Sequence, residues 1–190
     1  MEAASKLIVI GGSWGGIQAS LAVLSKLPAT YSIPVVLVLH RLRNIEGNLQ
    51  EIFEKRLALK AVEIEEKETL TPGYVYLAPS NYHVLIERDH SFSLDDSELV
   101  NFSRPAIDVT FMSAADAFGE NTIGILLSGA SKDGSSGLNY IFEKRGMVIV
   151  QDPNEAEVAT MPLSAIDIIP DCRIMNLERI NSFLLSLHDH

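Results

Sequence analysis

The sequence predicts an α/β fold: a doubly wound, mostly parallel sheet with helices on both faces and an antiparallel hairpin as an insertion or an edge. Two observations predict it. Short β-branched runs alternate along the chain with segments of helical period. The run Ile33–His40 is apolar almost throughout, as a parallel strand covered on both faces must be.

Each element follows from its local pattern. Lys6–Ile10 reads as a strand, and Ile17, Leu21, Leu24 and Leu27 mark one face of the helix behind it. After the strand Ile33–His40, Asn48–Leu57 has helical character and Ala61–Ile64 fits a third strand. Thr71-Pro72-Gly73 signals a turn into the short strand Tyr74–Leu77. Tyr82–Glu87 and Ser91–Leu94 pair as a hairpin around Arg88-Asp89-His90. The α/β rhythm then resumes with a helix from Ala106 to Phe118, its face marked by Ile107, Phe111, Ala115 and Phe118. A strand Thr122–Leu127, a helix Ser135–Lys144, a strand Met147–Val150 and helices Leu163–Ile168 and Leu177–Leu187 complete the chain.

Bulk properties narrow the function. The chain has 190 residues, enough for one domain with a sizeable core. Its formal net charge of −10 argues against a nucleic-acid partner, because phosphate neutralisation needs clustered Lys and Arg. Cys172 is the sole cysteine, so no internal disulfide forms and a reducing, cytoplasmic setting is expected. No apolar run approaches the ~20 residues of a bilayer span, so membrane insertion is not expected.

In an open α/β sheet, function gathers at the carboxyl ends of the strands. Ser13 lies there, in Gly11-Gly12-Ser13-Trp14-Gly15-Gly16 after the first strand. His40 closes the second strand, and Asp133 lies in the loop Leu127–Gly134 after the strand Thr122–Leu127. Together they have the chemical types of a hydrolytic triad. Singly, each has a plainer reading: a turn serine, a histidine bonded to a loop carbonyl, an aspartate entering a helix. Cofactor readings fail on the letters. The glycine cluster fits G-x-G-x-x-G in no register, and no Gly-Lys-Ser/Thr follows it. The five histidines are too scattered for a metal site. No cofactor and no metal are expected. Gly11–Gly15 matches G-x-S-x-G, but the order Ser, His, Asp differs from that of lipase-like hydrolases.

That order, with these local sequences, resembles the catalytic domain of the chemotaxis protein-glutamate methylesterases. Ile10–Gly16 is similar to the family's I-G-x-S-[TAW]-G-G, and Val38-Leu39-His40 to its strand-ending histidine. Leu77–His83 is similar to A-P-x-x-x-H, and Ser103–Asp108 to R-P-S-x-D. Leu127–Gly134 is similar to L-T-G-M-G-x-D-G, and Met161–Ile166 to G-M-P-x-x-A.

The resemblance implies Ser13 as nucleophile, His40 as general base and Asp133 as the acid that orients it. It implies hydrolysis of glutamate γ-methyl esters on the cytoplasmic helices of chemoreceptors, releasing methanol, with glutamine deamidation as a further activity. The backbone N–H groups of Trp14 and Ala130 are the oxyanion candidates, the second through the family loop alone. Three departures bear on substrate choice. Ala130-Ser131 stands where the family has Met-Gly, Trp14 replaces a small residue, and Arg41 and Arg43 follow the base as substrate-binding candidates. With the first strand so near Met1, we expect residues 1–190 to form a single catalytic domain without a receiver domain. Such a chain is either a stand-alone esterase or the trimmed remainder of a longer protein. Alternative functions are a catalytically weak signalling module that binds helical partners, and a serine esterase for another acyl substrate.

Overall fold

The structure, a computed structural model, describes residues 4–40 and 48–188. Among them, β1 (Leu7–Gly12), β2 (Val35–Leu39), β3 (Lys60–Glu63), β4 (Tyr74–Leu77), β7 (Thr122–Leu126), β8 (Met147–Gln151) and β9 (Arg173–Met175) form one sheet in the order β3-β4-β2-β1-β7-β8-β9. Every pairing in it is parallel. The remaining strands, β5 (His83–Ile86) and β6 (Phe92–Asp95), pair antiparallel in a separate two-stranded sheet. The hairpin is therefore an insertion and not an edge of the main sheet.

The helices are α1 (Gly16–Leu24), α2 (Leu49–Glu54), α3 (Ile107–Phe118), α4 (Ser135–Glu143), α5 (Thr160–Ile168) and α6 (Leu177–Ser186). They divide between the two faces as strand alternation requires. Val9, Val36, Val38 and Tyr76 pack with Phe111 of α3, Leu138 of α4 and Ala165 of α5. Their neighbours Ile8, Ile10, Val35 and Leu37 face the other way, against Leu24 of α1, Phe53 of α2 and Leu184 of α6. All residues of β1, β2 and β7 are buried, which explains their continuous apolar runs.

Differences from the expected elements are local. Strand β1 continues through Gly12, because Gly11 and Gly12 stay in register with Val38 and Leu39 of β2. Helix α5 starts at Thr160, three residues ahead of the expected Leu163. Its first turn contains Pro162, which a helix tolerates there because that N–H has no intrahelical partner. Strand β9 carries too short a pattern to be read from sequence; it exists as a partner for the edge of β8.

The order places β1 between β2 and β7, and the chain leaves β1 to build first one side of the sheet and later the other. That is the switch point, the position at whose carboxyl-end edge open α/β sheets place their sites. Helix α3 lies across this position, with Ile107 and Phe111 fully buried against the sheet. Phe111→Ala should lower unfolding free energy by about 3–5 kcal/mol, measured by urea denaturation; a loss below about 1 kcal/mol would contradict this role for α3.

Candidate active site

Ser13 sits where β1 gives way to α1. Its N–H donates to the Ser128 carbonyl (2.9 Å) and its carbonyl accepts from the Gly16 N–H (2.8 Å), so the serine is pinned between the β7 loop and the helix start. The turn depends on Gly15, whose φ of 78° lies in the left-handed region. A Cβ on Gly15 would also fall 2.9 Å from both Glu157 Cβ and Ser128 Oγ. In the β7 loop, a Cβ on Gly129 would lie 2.9 Å from Ser13 Cβ and 2.7 Å from Met161 Cε. Glycine at 129 is what lets the β7 loop approach the serine so closely.

His40 is fixed from the neighbouring strand end. Its N–H donates to the Gly12 carbonyl (3.0 Å), which continues the β1–β2 ladder beside Ser13. Its Nε2 lies 2.7 Å from Asp133 Oδ2, with the His40 side chain 13% exposed and Asp133 fully buried. An ionised carboxylate only accepts, so Nε2 is the donor of this bond. Ser13 Oγ makes no hydrogen bond among the described residues.

Asp133 is the most heavily bonded group of the site. Oδ2 also accepts the Ile107 N–H (2.7 Å), while Oδ1 accepts from the N–H groups of Asp108 (3.1 Å) and Gly134 (3.0 Å) and from Asn101 Nδ2 (3.0 Å). Two of these donors are the first N–H groups of α3, which have no intrahelical partner and lie at the positive end of its dipole. Burial alone would raise the Asp133 carboxyl. The hydrogen bonds from His40, Ile107, Asn101 and Asp108 outweigh it and hold the group below its ordinary 3.8.

A second carboxylate lies behind the first. Asp108 Oδ1 accepts from the N–H groups of Gly134 (2.9 Å) and Gly137 (2.7 Å), and its Oδ2 from Asn101 Nδ2 (2.8 Å). Burial raises its pKa and the Asp133 charge raises it further, with those donors offsetting only part. One Asn101 amide thus bridges both acids.

The expected oxyanion donors are Trp14 and Ala130. Trp14 follows Ser13 directly, and Ala130 follows the glycine packed on Ser13 Cβ. Among the described residues, neither N–H has a hydrogen-bond partner. The Trp14 ring is 54% exposed, and its Nε1 donates to Glu157 Oε1 (2.7 Å). In the altered acid loop, Ser131 Oγ accepts the Asp133 N–H (3.0 Å), so the serine stabilises the turn that carries the acid. Arg41 and Arg43 lie outside the described residues.

Other residues of the site were not visible as such in the sequence. Asn101 and Asp108 hold Asp133, and Ser128 Oγ ties the loops together by donating to the Trp14 carbonyl (2.8 Å) and accepting the Val158 N–H (2.9 Å). His83, within the A-P-x-x-x-H segment, is structural. Its Nδ1 accepts the Ala106 N–H (3.1 Å) and its Nε2 donates to the Glu98 carbonyl (2.9 Å), fastening the hairpin to the start of α3. Among the described residues, no group of three His, Cys, Asp or Glu side chains could hold a metal ion. No helix there is long and apolar enough to cross a membrane.

With a His40–Asp133 pair and a glycine-framed serine at the switch-point edge of a parallel sheet, the chain falls among the α/β proteins with a Ser, His and Asp grouped at one sheet edge. The CheB methylesterase family profile matches residues 8–184, and the chain belongs to that family. A Leptospira interrogans protein that carries protein-glutamate methylesterase/protein-glutamine glutaminase as a provisional name is 45% identical over 180 residues, covering 95% of this chain and 93% of its own. The protein-glutamate methylesterase/protein-glutamine glutaminase 1 of Carboxydothermus hydrogenoformans is 37% identical, covering 92% of this chain but 53% of its own. The crystal structure of the Thermotoga maritima CheB methylesterase catalytic domain superposes with a TM-score of 0.91 at 30% identity, covering 98% of this chain and 100% of that one.

The lowered Asp133 carboxyl has a consequence for stability. A group whose folded pKa lies below its unfolded value of about 3.9 stabilises fully above that value, and the contribution is lost as pH falls through the folded one. Asp133→Asn should cost about 1–3 kcal/mol near neutral pH, and the gap to wild type should narrow as pH falls below about 3.9. Urea denaturation across that range measures it; a gap independent of pH would count against an ionised Asp133.

Proposed function

We propose that the protein is a serine esterase that hydrolyses γ-methyl esters of glutamate side chains on chemoreceptor helices, with Ser13, His40 and Asp133 as its triad. The observation that carries this reading is the 2.7 Å bond from His40 Nε2 to the buried Asp133, made beside Ser13 at the switch point. The names of the relatives support the ester and amide chemistry.

The geometry suggests each step. Asp133 holds the Nε2–H tautomer of His40, which leaves Nδ1 to take the Ser13 proton as Oγ attacks the ester carbonyl. Oγ makes no such bond in the unliganded site, and catalytic hydrogen bonds of this kind commonly tighten only with substrate present. The tetrahedral oxyanion is stabilised by the Trp14 and Ala130 N–H groups at the amino end of α1 and in the β7 loop. As the intermediate collapses, the C–O bond breaks and the leaving methoxide takes the proton from Nδ1, departing as methanol. Water then attacks the acyl-enzyme, gives a proton to Nδ1, and the Ser13 oxygen leaves and recovers it. The product is a glutamate carboxylate. A glutamine side chain follows the same path with ammonia as the leaving group. Residues 1–190 act as a single catalytic domain in this reading, in the cytoplasm where receptor helices are reached.

Ser13→Ala should reduce methanol release from a methylated receptor fragment by at least about 10³-fold while leaving the unfolding midpoint within about 2 °C. A fluorophosphonate should label wild type at Ser13 and leave the variant unlabelled. Retained turnover in Ser13→Ala, or labelling elsewhere, would overturn the assignment. In a second experiment, Gly129→Ala should lower kcat at least about tenfold, because the new Cβ collides with Ser13 Cβ and Met161; unchanged kcat would remove the β7 loop from the site.

A further inference from the structure

Each candidate oxyanion N–H belongs to a peptide whose carbonyl is pinned on its far side. A trans peptide points its C=O and N–H in opposite directions, so fixing one aims the other. The Ser13 carbonyl accepts the Gly16 N–H (2.8 Å), which turns the Trp14 N–H away from the start of α1. The Gly129 carbonyl accepts the Met161 N–H (2.9 Å), which turns the Ala130 N–H away from the start of α5. The two peptides lie close together, since a Cβ on Gly129 would fall 2.9 Å from Ser13 Cβ.

One side chain joins the segments that carry these peptides. Ser128, 1% exposed, donates its hydroxyl to the Trp14 carbonyl (2.8 Å) and accepts the Val158 N–H (2.9 Å). The Val158 carbonyl is farther from Oγ, at 3.3 Å, so the single hydroxyl proton goes to Trp14. Its backbone is equally committed: the N–H donates to Gln151 Oε1 (2.8 Å) and the carbonyl accepts the Ser13 N–H (2.9 Å). Val158 also accepts the Gly129 N–H (3.0 Å), so Val158 and Met161 hold Gly129 by both its N–H and its carbonyl. Trp14 is thus held at both flanking peptides, by Gly16 before it and by the Ser128 hydroxyl after it. The backbone bonds of Ser128 would survive loss of that hydroxyl; the tie between Trp14 and Val158 would not.

We propose that Ser128 is a positioning residue for the oxyanion hole. Its hydroxyl fixes Trp14 against the β8–α5 connection, so that the Trp14 and Ala130 N–H groups keep one spacing before substrate arrives. Donors fixed in advance need no reorganisation as charge develops on the ester oxygen, and that is where their value to catalysis lies. Ser128 acts through Trp14 and not on the reacting atoms. The inference rests on the esterase reading for its chemistry, but the fixing of Trp14 is measurable without turnover.

The test compares wild type with Ser128→Ala, Ser128→Cys and Ser128→Thr in the full chain. The substrates are a peptide bearing a glutamate γ-methyl ester and the same peptide as its methyl thionoester, whose sulfur is a weaker hydrogen-bond acceptor. Misplacing a donor should cut kcat of Ser128→Ala on the oxygen ester about ten- to hundredfold with KM within about twofold. The oxygen-to-sulfur ratio of kcat/KM should fall by nearly the same factor, because a developing thiolate gains little from the N–H groups. A purely structural role would lower both substrates alike and leave the ratio unchanged. Ser128→Thr keeps the hydroxyl and should stay within about threefold of wild type. Ser128→Cys, close in shape with weaker hydrogen bonds, should fall between, and it carries the test if the alanine variant does not fold. Without substrate, the backbone ¹⁵N order parameter of Trp14 should drop from about 0.85 toward about 0.6 in Ser128→Ala. Unchanged kcat, an unchanged ratio, an unchanged order parameter or a threonine as poor as alanine would each overturn the proposal. Failure of the esterase reading looks different: wild type neither turns over nor takes the fluorophosphonate, while Trp14 order still depends on the Ser128 hydroxyl. The oxyanion role then falls and only the structural tie stands.

Discussion

An ionised carboxylate shut away from water costs several kcal/mol unless its lone pairs are filled. Asp133 is such a group, and the site is organised around satisfying it. Its partners among the described residues come from separate stretches of chain: His40 at the end of β2, Asn101 in the turn before α3, Ile107 and Asp108 at the start of α3, and Gly134 beside it. Apart from the Gly134 bond to its own neighbour, these contacts require the sheet to bring β2 and β7 to either side of β1 and α3 to pack across them. The same bonds that make the carboxylate tolerable also orient the imidazole.

The fold supplies this convergence through the switch point. Strand β1, buried on both faces, delivers Ser13, while β2 and β7 deliver His40 and the acid loop to the same edge. The two α3 N–H groups that point at Asp133 are donors that any helix start leaves free. Here an acid from another loop caps them, so the helix end is satisfied and the acid stays charged. Asp108 performs the reciprocal service for α4, accepting from Gly134 and Gly137. Hydrogen bonds from His40, Ile107, Asn101 and Asp108 hold the Asp133 carboxyl down, while burial first and the nearby Asp133 charge second push Asp108 up.

Two aromatic rings lie outside that buried network. Trp14 and Phe102 are exposed; the Trp14 indole donates to Glu157, and Asn101, beside Phe102, reaches both Asp133 and Asp108.

Much of the architecture was legible in the sequence. Fully buried parallel strands must be apolar without interruption, so β2 and β7 were legible as the slightly longer runs Ile33–His40 and Thr122–Leu127, and Tyr74–Leu77 was read to the residue. That Ser13, His40 and Asp133 lie at one sheet edge was legible, because strand ends in such a sheet share that edge and the rule depends only on local pattern. Family likeness then ordered the motifs along the chain. The sequence could not specify whether the hairpin joined the main sheet, or that Arg173–Met175 pairs with β8, because short strands are defined by their neighbours. Nor could it single out Asn101, and only the likeness of Ser103–Asp108 to R-P-S-x-D set the Asp108 carboxylate apart, without saying what it holds. Their importance lies in which groups they meet across the fold, and only the packed tertiary structure decides that. Hydrophobic period determines which segments form and which face they bury; the pairing of polar groups is decided when distant segments exclude water together.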